Sequence, residues 1–355
     1  MNGTGRNMMA VVKETEGPGF TVRDMPVPQP GPDDVLIRVQ AVGICGSDLP
    51  IFSGRRAVPL PFIAGHEFAG VIAAAGSNVT DFKVGDRVAP GLVIHCGECI
   101  PCRQGLESLC DRIMETGIHV NGAFAEYVIV PATTLHRLPE DVSYAQGASV
   151  DPVASAYRPV KKARIGSEDL VVVFGPGPIG LFAGQLAQVE GARQVILIGL
   201  PQDTGRLKLA RKLGMDILTV DDASRLPEQI QGISGGELPR VVLEATGSPA
   251  VFEDCLSAVD KGGVIVVAGI VHEPSVFDFA QVVRREIRIE GSICYTRKEF
   301  GESLRLVADR RVQVLPLITH HLPLANIAEG LDLLMGQRAV KVMLYPDLDS
   351  MPEQG

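Results

Sequence analysis

The stretch Leu170-Val-Val-Val-Phe-Gly175-Pro-Gly177-Pro178-Ile179-Gly180-Leu-Phe-Ala-Gly-Gln-Leu-Ala187 decides the fold. Five apolar residues rich in valine read as a buried strand, and the residues from Ile179 onward read as a helix. Between them lies G-x-G-x-x-G, in the strand-to-helix context that gives the motif meaning. Gly175 permits the tight turn, Gly177 lets backbone approach a pyrophosphate, and Gly180 lets helix and strand pack closely. The helix start, with Pro178 and Ile179, turns free N–H groups and the positive end of its dipole toward phosphate.

The pattern continues outward from this loop. Strands are expected over 170–174, 194–198, 216–220, 240–244, 264–268 and 287–290, with helices over 179–189 and through Leu207, Ala210 and Leu213, closed by Gly214. Strand and helix in alternation mean an α/β fold with a doubly wound parallel sheet of Rossmann type. The second strand of such a unit should end in an acid that bonds the adenosine ribose. Here it ends in Gly199-Leu-Pro-Gln-Asp203, with no carboxylate at the tip. Gly199 leaves room for a 2′-phosphate, and Arg206 and Lys208 can pair with it. Alternatively Asp203 reaches back to the ribose. The reading leans to NADP, with NAD left open.

Before residue 151 the texture differs. Short strands over 34–40, 70–75, 86–90 and 124–130 are divided by Gly and Pro, which predicts a mostly β domain. A length of 355 residues suits two domains. A composition of 46% hydrophobic and 21% charged residues is that of a globular chain with a large core, and the net charge of −9 argues against nucleic acid or anionic membrane as a partner. No apolar run reaches the roughly 18 residues of a membrane span. Residues 1–9 are polar and Gly-rich, lack the features of a signal peptide, and read as a frayed leader. A cytoplasmic location follows.

Seven cysteines are present: Cys45, Cys96, Cys99, Cys102, Cys110, Cys255 and Cys294. Four of them form C-x2-C-x2-C-x7-C. Short loops between thiolates let one lobe wrap a tetrahedral zinc, and four thiolates leave no open position, so Cys96, Cys99, Cys102 and Cys110 are candidate ligands of a structural zinc. Cys45-Gly-Ser47-Asp48 and Gly65-His66-Glu67 add two further zinc donors. Taken singly, Cys45 reads as a buried thiol and His66 as a core histidine. His95, His119, His320 and His321 read as solvent-facing.

These segments occur in an order that resembles the zinc-containing medium-chain dehydrogenase/reductase family. The carriers are Cys45-Gly-Ser47-Asp48, the Gly65-His66-Glu67-x2-Gly70-x5-Gly76 signature, the cysteine lobe and the Gly175–Gly180 loop. The resemblance implies a GroES-like catalytic domain over 1–153 and 295–355, with the zinc lobe near 95–112, and a Rossmann domain over 154–294, with a cleft between them. The tail, read as a helix over 300–308 and strands over 314–319 and 340–345, goes to the first domain on this ground alone. The resemblance also implies a catalytic zinc. In the sorbitol- and threonine-type branches its last ligand is an acid followed by Pro, which here is Asp151-Pro152. Cys45, His66 and Asp151 are then the ligands, with Glu67 a fourth or exchanging one. A second-shell role for Glu67 and a helix-start role for Asp151 stay open.

The implied chemistry is hydride transfer between a small secondary alcohol, polyol or sugar alcohol (or the ketone) and NAD(P), with two zinc ions per chain. An open zinc position favours deprotonation, since water bound to zinc has its pKa lowered from about 15.7 to about 7. Ser47 is the implied proton acceptor. Many relatives carry a histidine three residues further on, where this chain has Pro50, which disfavours the threonine or amino-alcohol alternative. A cofactor-binding protein without catalysis is a further alternative, opposed by the intact ligand set. A homo-oligomer, dimer or tetramer, is expected, with 264–268 and the segment near Ile287 as a pairing edge.

Overall fold

In the computed structural model, which describes residues 6–271, 273–274 and 278–352, β-structure opens the chain. β1 (Asn7–Val12) and β2 (Thr21–Pro26) pair antiparallel. Of the expected leader, residues 1–5 lie outside the described residues. The rest is no leader: Met8 is buried and the Met9 N–H donates to Glu126 Oε2 at 2.7 Å. The apolar positions Met8, Ala10 and Val12 alternate and so share one face, which draws this segment into the core.

The strands β3 (Asp34–Gly43), β4 (Glu67–Ala75), β5 (Arg87–Pro90), β6 (Val93–Ile94), β7 (Met114–Glu115), β8 (Tyr127–Pro131) and β9 (Leu135–Arg137) follow. After six parallel strands, β10 (Leu170–Phe174), β11 (Gln194–Gly199), β12 (Asp216–Thr219), β13 (Val241–Glu244), β14 (Val264–Val267) and β15 (Arg288–Gly291), the chain ends with β16 (Ile318–Pro323) and β17 (Lys341–Tyr345). The chain divides into two units. One comprises 1–151, 296–308 and 314–355; the other comprises 152–295 and 309–313. No helix among the described residues is long and apolar enough to cross a membrane.

The first unit is organised by β3. One edge of β3 pairs along β4. Its other edge is shared, first by β8 (Asp34 opposite Pro131) and then by β17 (Gly43 opposite Met343). The full order is β16-β17-β3-β4-β5-β9, with β8 on β3. Both edges of β3 are thereby hydrogen-bonded, and its alternating residues Val35, Ile37, Val39 and Ala41 are almost wholly inaccessible while Arg38 between them is exposed. β6 and β7 form a separate two-stranded sheet beside the cysteine lobe.

The expected strand over 314–319 differs. Leu315–Leu317 is a 3-10 turn and β16 starts at Ile318. Pro316 has no N–H for a ladder and its ring suits a helical turn. His320 and His321 therefore lie in a strand. His321 is half-buried, stacked on Tyr345 and bonded to its hydroxyl at 2.7 Å, so it does not simply face solvent.

The second unit has the order β12-β11-β10-β13-β14-β15, with every pairing parallel. Sequence order reverses between β10 and β13, the place where ligands sit in such sheets. β10 is buried throughout, as its continuous apolar run requires. The helix Pro178–Val189 crosses over from it to β11. β14 is an inner strand between β13 and β15, so of the two segments expected at the edge, 264–268 lies inside the sheet and only the one near Ile287, as β15 (Arg288–Gly291), lies at it. Charged Arg288 and Glu290 on that edge restrain indiscriminate pairing.

Gly180 fixes how closely this helix meets β10: a Cβ there would overlap the Gly175 carbonyl oxygen. Gly180→Ala is expected to cost roughly 1–3 kcal/mol, as overpacking does. At about 2–4 °C per kcal/mol for a unit of this size, calorimetry should record a melting temperature several degrees lower. An unchanged melting temperature would show that the turn relaxes freely.

Candidate active site

Two neighbouring strands of the first unit bring one group of donors together. β3 ends at Gly43, two residues before Cys45. β4 begins at Glu67, one residue after His66. In the β3–β4 register Gly43 faces Glu67 directly. One donor atom from each of Cys45, His66 and Glu67 lies within 4.8 Å of the others, and His66 and Glu67 are buried. Gly43 is needed at this crossing, because a Cβ there would overlap Glu67 Oε2.

Two charged residues that sequence reasoning passed over complete the site. Asp48 is fully buried, and its Oδ2 accepts the Cys45 N–H at 2.8 Å. Its Oδ1 stands 3.8 Å from His66 Nδ1, beyond hydrogen-bond range, and neither atom has a hydrogen-bond partner among the described residues. Lys341, on β17, is also buried. Its Nζ pairs with Glu67 Oε2 and donates to the Ile44 carbonyl at 3.2 Å. Asp48 was visible beside Ser47 as a short acid before a helix. Lys341 was visible as a single charge in the apolar run Val340-Lys341-Val-Met-Leu-Tyr345; a charge in a strand of this kind needs a partner.

The protonation directions describe a negative pocket. Burial alone would push the His66 imidazole down. The charge of Cys45, a hydrogen bond to it, and the carboxylates of Asp48 and Asp151 outweigh burial and hold His66 well above its ordinary value. Burial likewise disfavours the Lys341 ammonium, yet Glu67, Cys45 and Asp48 raise it. Burial raises the Asp48 carboxyl against the opposing pull of His66. A thiol, an imidazole and carboxyl groups gathered at one place, with two orphaned buried polar atoms, are the donor chemistry of a bound divalent cation.

The remaining candidates fall around this group. Asp151 is the second residue of the helix Val150–Ala163, buried, and close enough to His66 to influence it, but outside the compact set formed with Glu67. Ser47 is half-buried at the start of the helix Asp48–Phe52, and its side chain makes no capping bond. Pro50 lies within that helix.

The four-cysteine lobe is separate. The Sγ atoms of Cys96, Cys99, Cys102 and Cys110 lie within 4.8 Å of one another. Two pairs, Cys96–Cys102 and Cys99–Cys110, stand 3.9 Å apart. A tetrahedron with Zn–S bonds of about 2.3 Å places its sulfurs about 3.8 Å apart, so the residues fit that ion. Backbone N–H groups of Cys96 and Arg112 point at Cys110 Sγ (3.4 and 3.3 Å), and that of Cys99 at Cys96 Sγ (3.4 Å). A hydrogen bond from Arg112, helped by the Cys99 N–H, lowers the Cys96 thiol to about 6. Burial and the neighbouring thiols push Cys102 up to about 12. His95 is half-buried before the lobe, and His119 faces Glu115 at 3.4 Å.

In the second unit, Gly175 has a φ of +99° and its N–H donates to the Ile198 carbonyl at 3.0 Å. Gly177 caps the helix Pro178–Val189 without a side-chain bond, and a Cβ there would meet nothing within 4 Å. The first helical turn, in which Pro178 has no N–H and Ile179 is the first donor, thus begins beside open space, as a pyrophosphate requires. At the tip of β11, Gly199 packs against Pro176, Leu207 and Asp203, whose Cβ atom would lie 3.3 Å from an added Cβ. Asp203 Oδ2 accepts the Leu200 N–H at 3.0 Å, and Oδ1 faces Arg206 Nη1 at 3.9 Å.

Comparison with known proteins agrees with this geometry. Residues 31–140 match the family described as alcohol dehydrogenase GroES-like domain, and residues 178–309 match the zinc-binding dehydrogenase family. A sorbitol dehydrogenase of Halalkalibacterium halodurans is 34% identical over 96% of this chain and 99% of its own. An L-threonine 3-dehydrogenase of Rhizobium etli is 33% identical over 95% of this chain and 99% of its own. The crystal structure of 2R,3R-butanediol dehydrogenase from Bacillus subtilis superposes with a TM-score of 0.88 at 28% identity, covering 96% of this chain and 100% of that one. The chain belongs to the zinc-containing medium-chain dehydrogenase/reductase family and is an NAD(P)-dependent oxidoreductase.

Cys99→Ser should lower the bound zinc by one ion per chain and the melting temperature by several degrees, because metal binding to such a lobe contributes folding energy. Metal analysis and calorimetry on the purified variant check this. Unchanged zinc content would remove Cys99 from the ligand set.

Proposed function

We propose that this enzyme oxidises a small secondary alcohol of the polyol or vicinal-diol class with NAD, at a zinc ion held in the buried site of the first unit. The compact Cys45–His66–Glu67 group is the observation that carries this reading. Four like thiolates close on their ion, whereas a mixed set of three protein ligands leaves a position open to a substrate oxygen. We assign Cys45, His66 and Asp151 as ligands and Glu67 as an exchanging one. Glu67 is the nearer carboxylate, but Lys341 already balances its charge. Asp151 lies buried beside the imidazole and brings the counter-charge that a dication needs.

A zinc ion held by Cys45, His66 and Asp151 would supply the acidity that makes a hydroxyl ionise near neutral pH, and a bound nicotinamide would supply the hydride acceptor. The residues of the chain do the positioning. Asp48 fixes the Cys45 backbone through its Oδ2 and presents its other oxygen toward His66. Ser47 accepts the proton of the substrate hydroxyl. Pro50 offers no base on the next turn of that helix, so water carries the proton onward. The sorbitol and butanediol dehydrogenase relatives support a polyol or diol. The L-threonine 3-dehydrogenase relative supports an amino alcohol as the second reading; Pro50 speaks against it.

The coenzyme assignment rests on Asp203. Its carboxylate is anchored at the β11 tip and leans on Arg206, which leaves an acceptor for a ribose hydroxyl and a repelling charge for a 2′-phosphate. This favours NAD over the NADP expected from Gly199 and Arg206. We also read the chain as a homo-oligomer, with the exposed edge at Arg288–Gly291 as the pairing element.

The first test is nicotinamide absorbance with NAD and NADP in parallel against diols, polyols, sugar alcohols, threonine and simple alcohols. Turnover of a polyol or diol with NAD is expected. Turnover of threonine alone would establish the second reading, and NADP alone would refute the role of Asp203. In a companion measurement, Asp151→Ala should lose most turnover and one zinc per chain while its melting temperature stays near wild type. Full turnover would exclude Asp151 as a ligand.

A further inference from the structure

Glu244 closes β13 at the point where strand order reverses, and none of its surface reaches solvent. It belongs to no donor group and to no part of the dinucleotide loop, yet its side chain accepts three hydrogen bonds. Its Oε1 accepts the Thr246 N–H at 2.6 Å, the Thr246 hydroxyl at 2.5 Å and the Gly247 N–H at 2.9 Å. Its backbone carbonyl accepts the N–H groups of Ala268 and Gly269 at 2.9 and 3.1 Å. Oε2 has no hydrogen-bond partner among the described residues and lies against Gly269, where an added Cβ would come within 2.5 Å of it. A wholly buried carboxylate with one bare oxygen is costly. Such a group calls for an explanation beyond filling space.

The explanation lies one contact further on. The turn that Glu244 holds backs directly onto Gly175. A Cβ on Gly175 would stand 2.8 Å from the Thr246 methyl carbon and 3.2 Å from the Ala245 carbonyl carbon. Gly175 is the residue whose left-handed φ of +99° turns the chain from β10 toward Gly177. Its far side is tied to β11 through the Ile198 carbonyl. The same Glu244 also touches the end of β14 through Gly269. One side chain therefore joins the turns that follow β13 and β14 and, through Thr246, sets the wall against which the Gly175 turn is formed.

We propose that Glu244 is a positioning residue for dinucleotide binding: it clamps the Ala245–Gly247 turn so that the Thr246 methyl holds the Gly175 loop in the shape that receives the pyrophosphate. Glu244 touches no cofactor atom and acts through Thr246. This rests on the reading that the Gly175–Gly180 loop binds the nicotinamide dinucleotide.

The test is direct binding of NADH to the zinc-loaded protein without substrate, followed by nicotinamide fluorescence, with melting temperature and steady-state kinetics on the same samples. Glu244→Gln removes the charge that the three donors share and should weaken NADH binding about tenfold or more, the loss of hydrogen bonds to a charged group. Thr246→Ser keeps the hydroxyl bond and removes only the methyl, so its melting temperature should stay close to wild type while binding weakens about fourfold, the equivalent of one buried methyl group. In both, KM for the coenzyme should rise more than kcat falls. NADH affinity of Thr246→Ser within twofold of wild type would overturn the proposal, even if Glu244→Gln fails to fold. Failure of the underlying reading looks different. Gly177→Val adds a side chain where nothing stands within 4 Å, so it should fold normally and lose NADH; if it binds NADH as wild type does, the loop itself is not the binding site.

Discussion

The ion pair of Glu67 with Lys341 is the constraint on which the first unit depends. Two opposite charges sit almost wholly out of water in the middle of a sheet. Each would be intolerable alone, since an unpaired buried charge costs several kcal/mol or changes its protonation instead. Together they require β4 and β17 to lie on the two edges of β3 at one level, with a glycine between them on β3 to make room. That level is also where Cys45 leaves β3 and where His66 enters β4. The geometry of the donors is thus set by the same register that keeps the pair together. A register slip of one residue would bury one charge unpaired and turn the donors apart.

The two cysteine-bearing sites follow opposite rules. The lobe is made of like donors close in sequence, with backbone N–H groups aimed at sulfur, and its spacing fits one tetrahedral ion with nothing left over. The deeper site mixes a thiol, an imidazole and carboxylates, and its negative charge raises His66 and Lys341 against the effect of burial. A closed set resists exchange, whereas a mixed set with charge to spare can change its ligands as a substrate oxygen comes and goes. The cavity of 490 Å³ lined by Glu107, His136, Arg297, Lys298, Gly301 and Arg305 belongs to neither. An apolar neighbour, Phe300, packs at a tilt against His136 there, with ring centroids 4.7 Å apart, and burial together with Arg297 lowers that imidazole to about 4.

Most of this was legible in the sequence where the signal is local. The loop after β10, the cysteine spacing and the alternation of strands and helices are short-range patterns, and the parallel sheet follows from them. The segment around Pro316 was misread because an apolar run alone cannot distinguish a strand from a turn when proline removes a ladder donor. Asp48 and Lys341 escaped because their importance comes from neighbours that the chain supplies elsewhere: Lys341 meets the Ile44 carbonyl across 297 positions of sequence. Asp203 could be named but not given a partner, since only folding turns its carboxylate back to the Leu200 N–H. Of the two segments expected at the edge of the second sheet, the one near Ile287 lies there as β15 and 264–268 does not, because strand order is a property of the fold.

The contrast in sequence separation has a consequence for how the protein comes into being. Cys96 and Cys110 are 14 positions apart, so the lobe needs only a short loop to close before it can take a metal. Such a site can mature while most of the sheet is still unformed. The Glu67–Lys341 pair and the donors beside it exist only once β17, near the end of the chain, has found its place on β3. The order of assembly is thus written into the chain: the thiols of the lobe can gather early, and the donors of the deeper site gather last, once β17 pairs with β3.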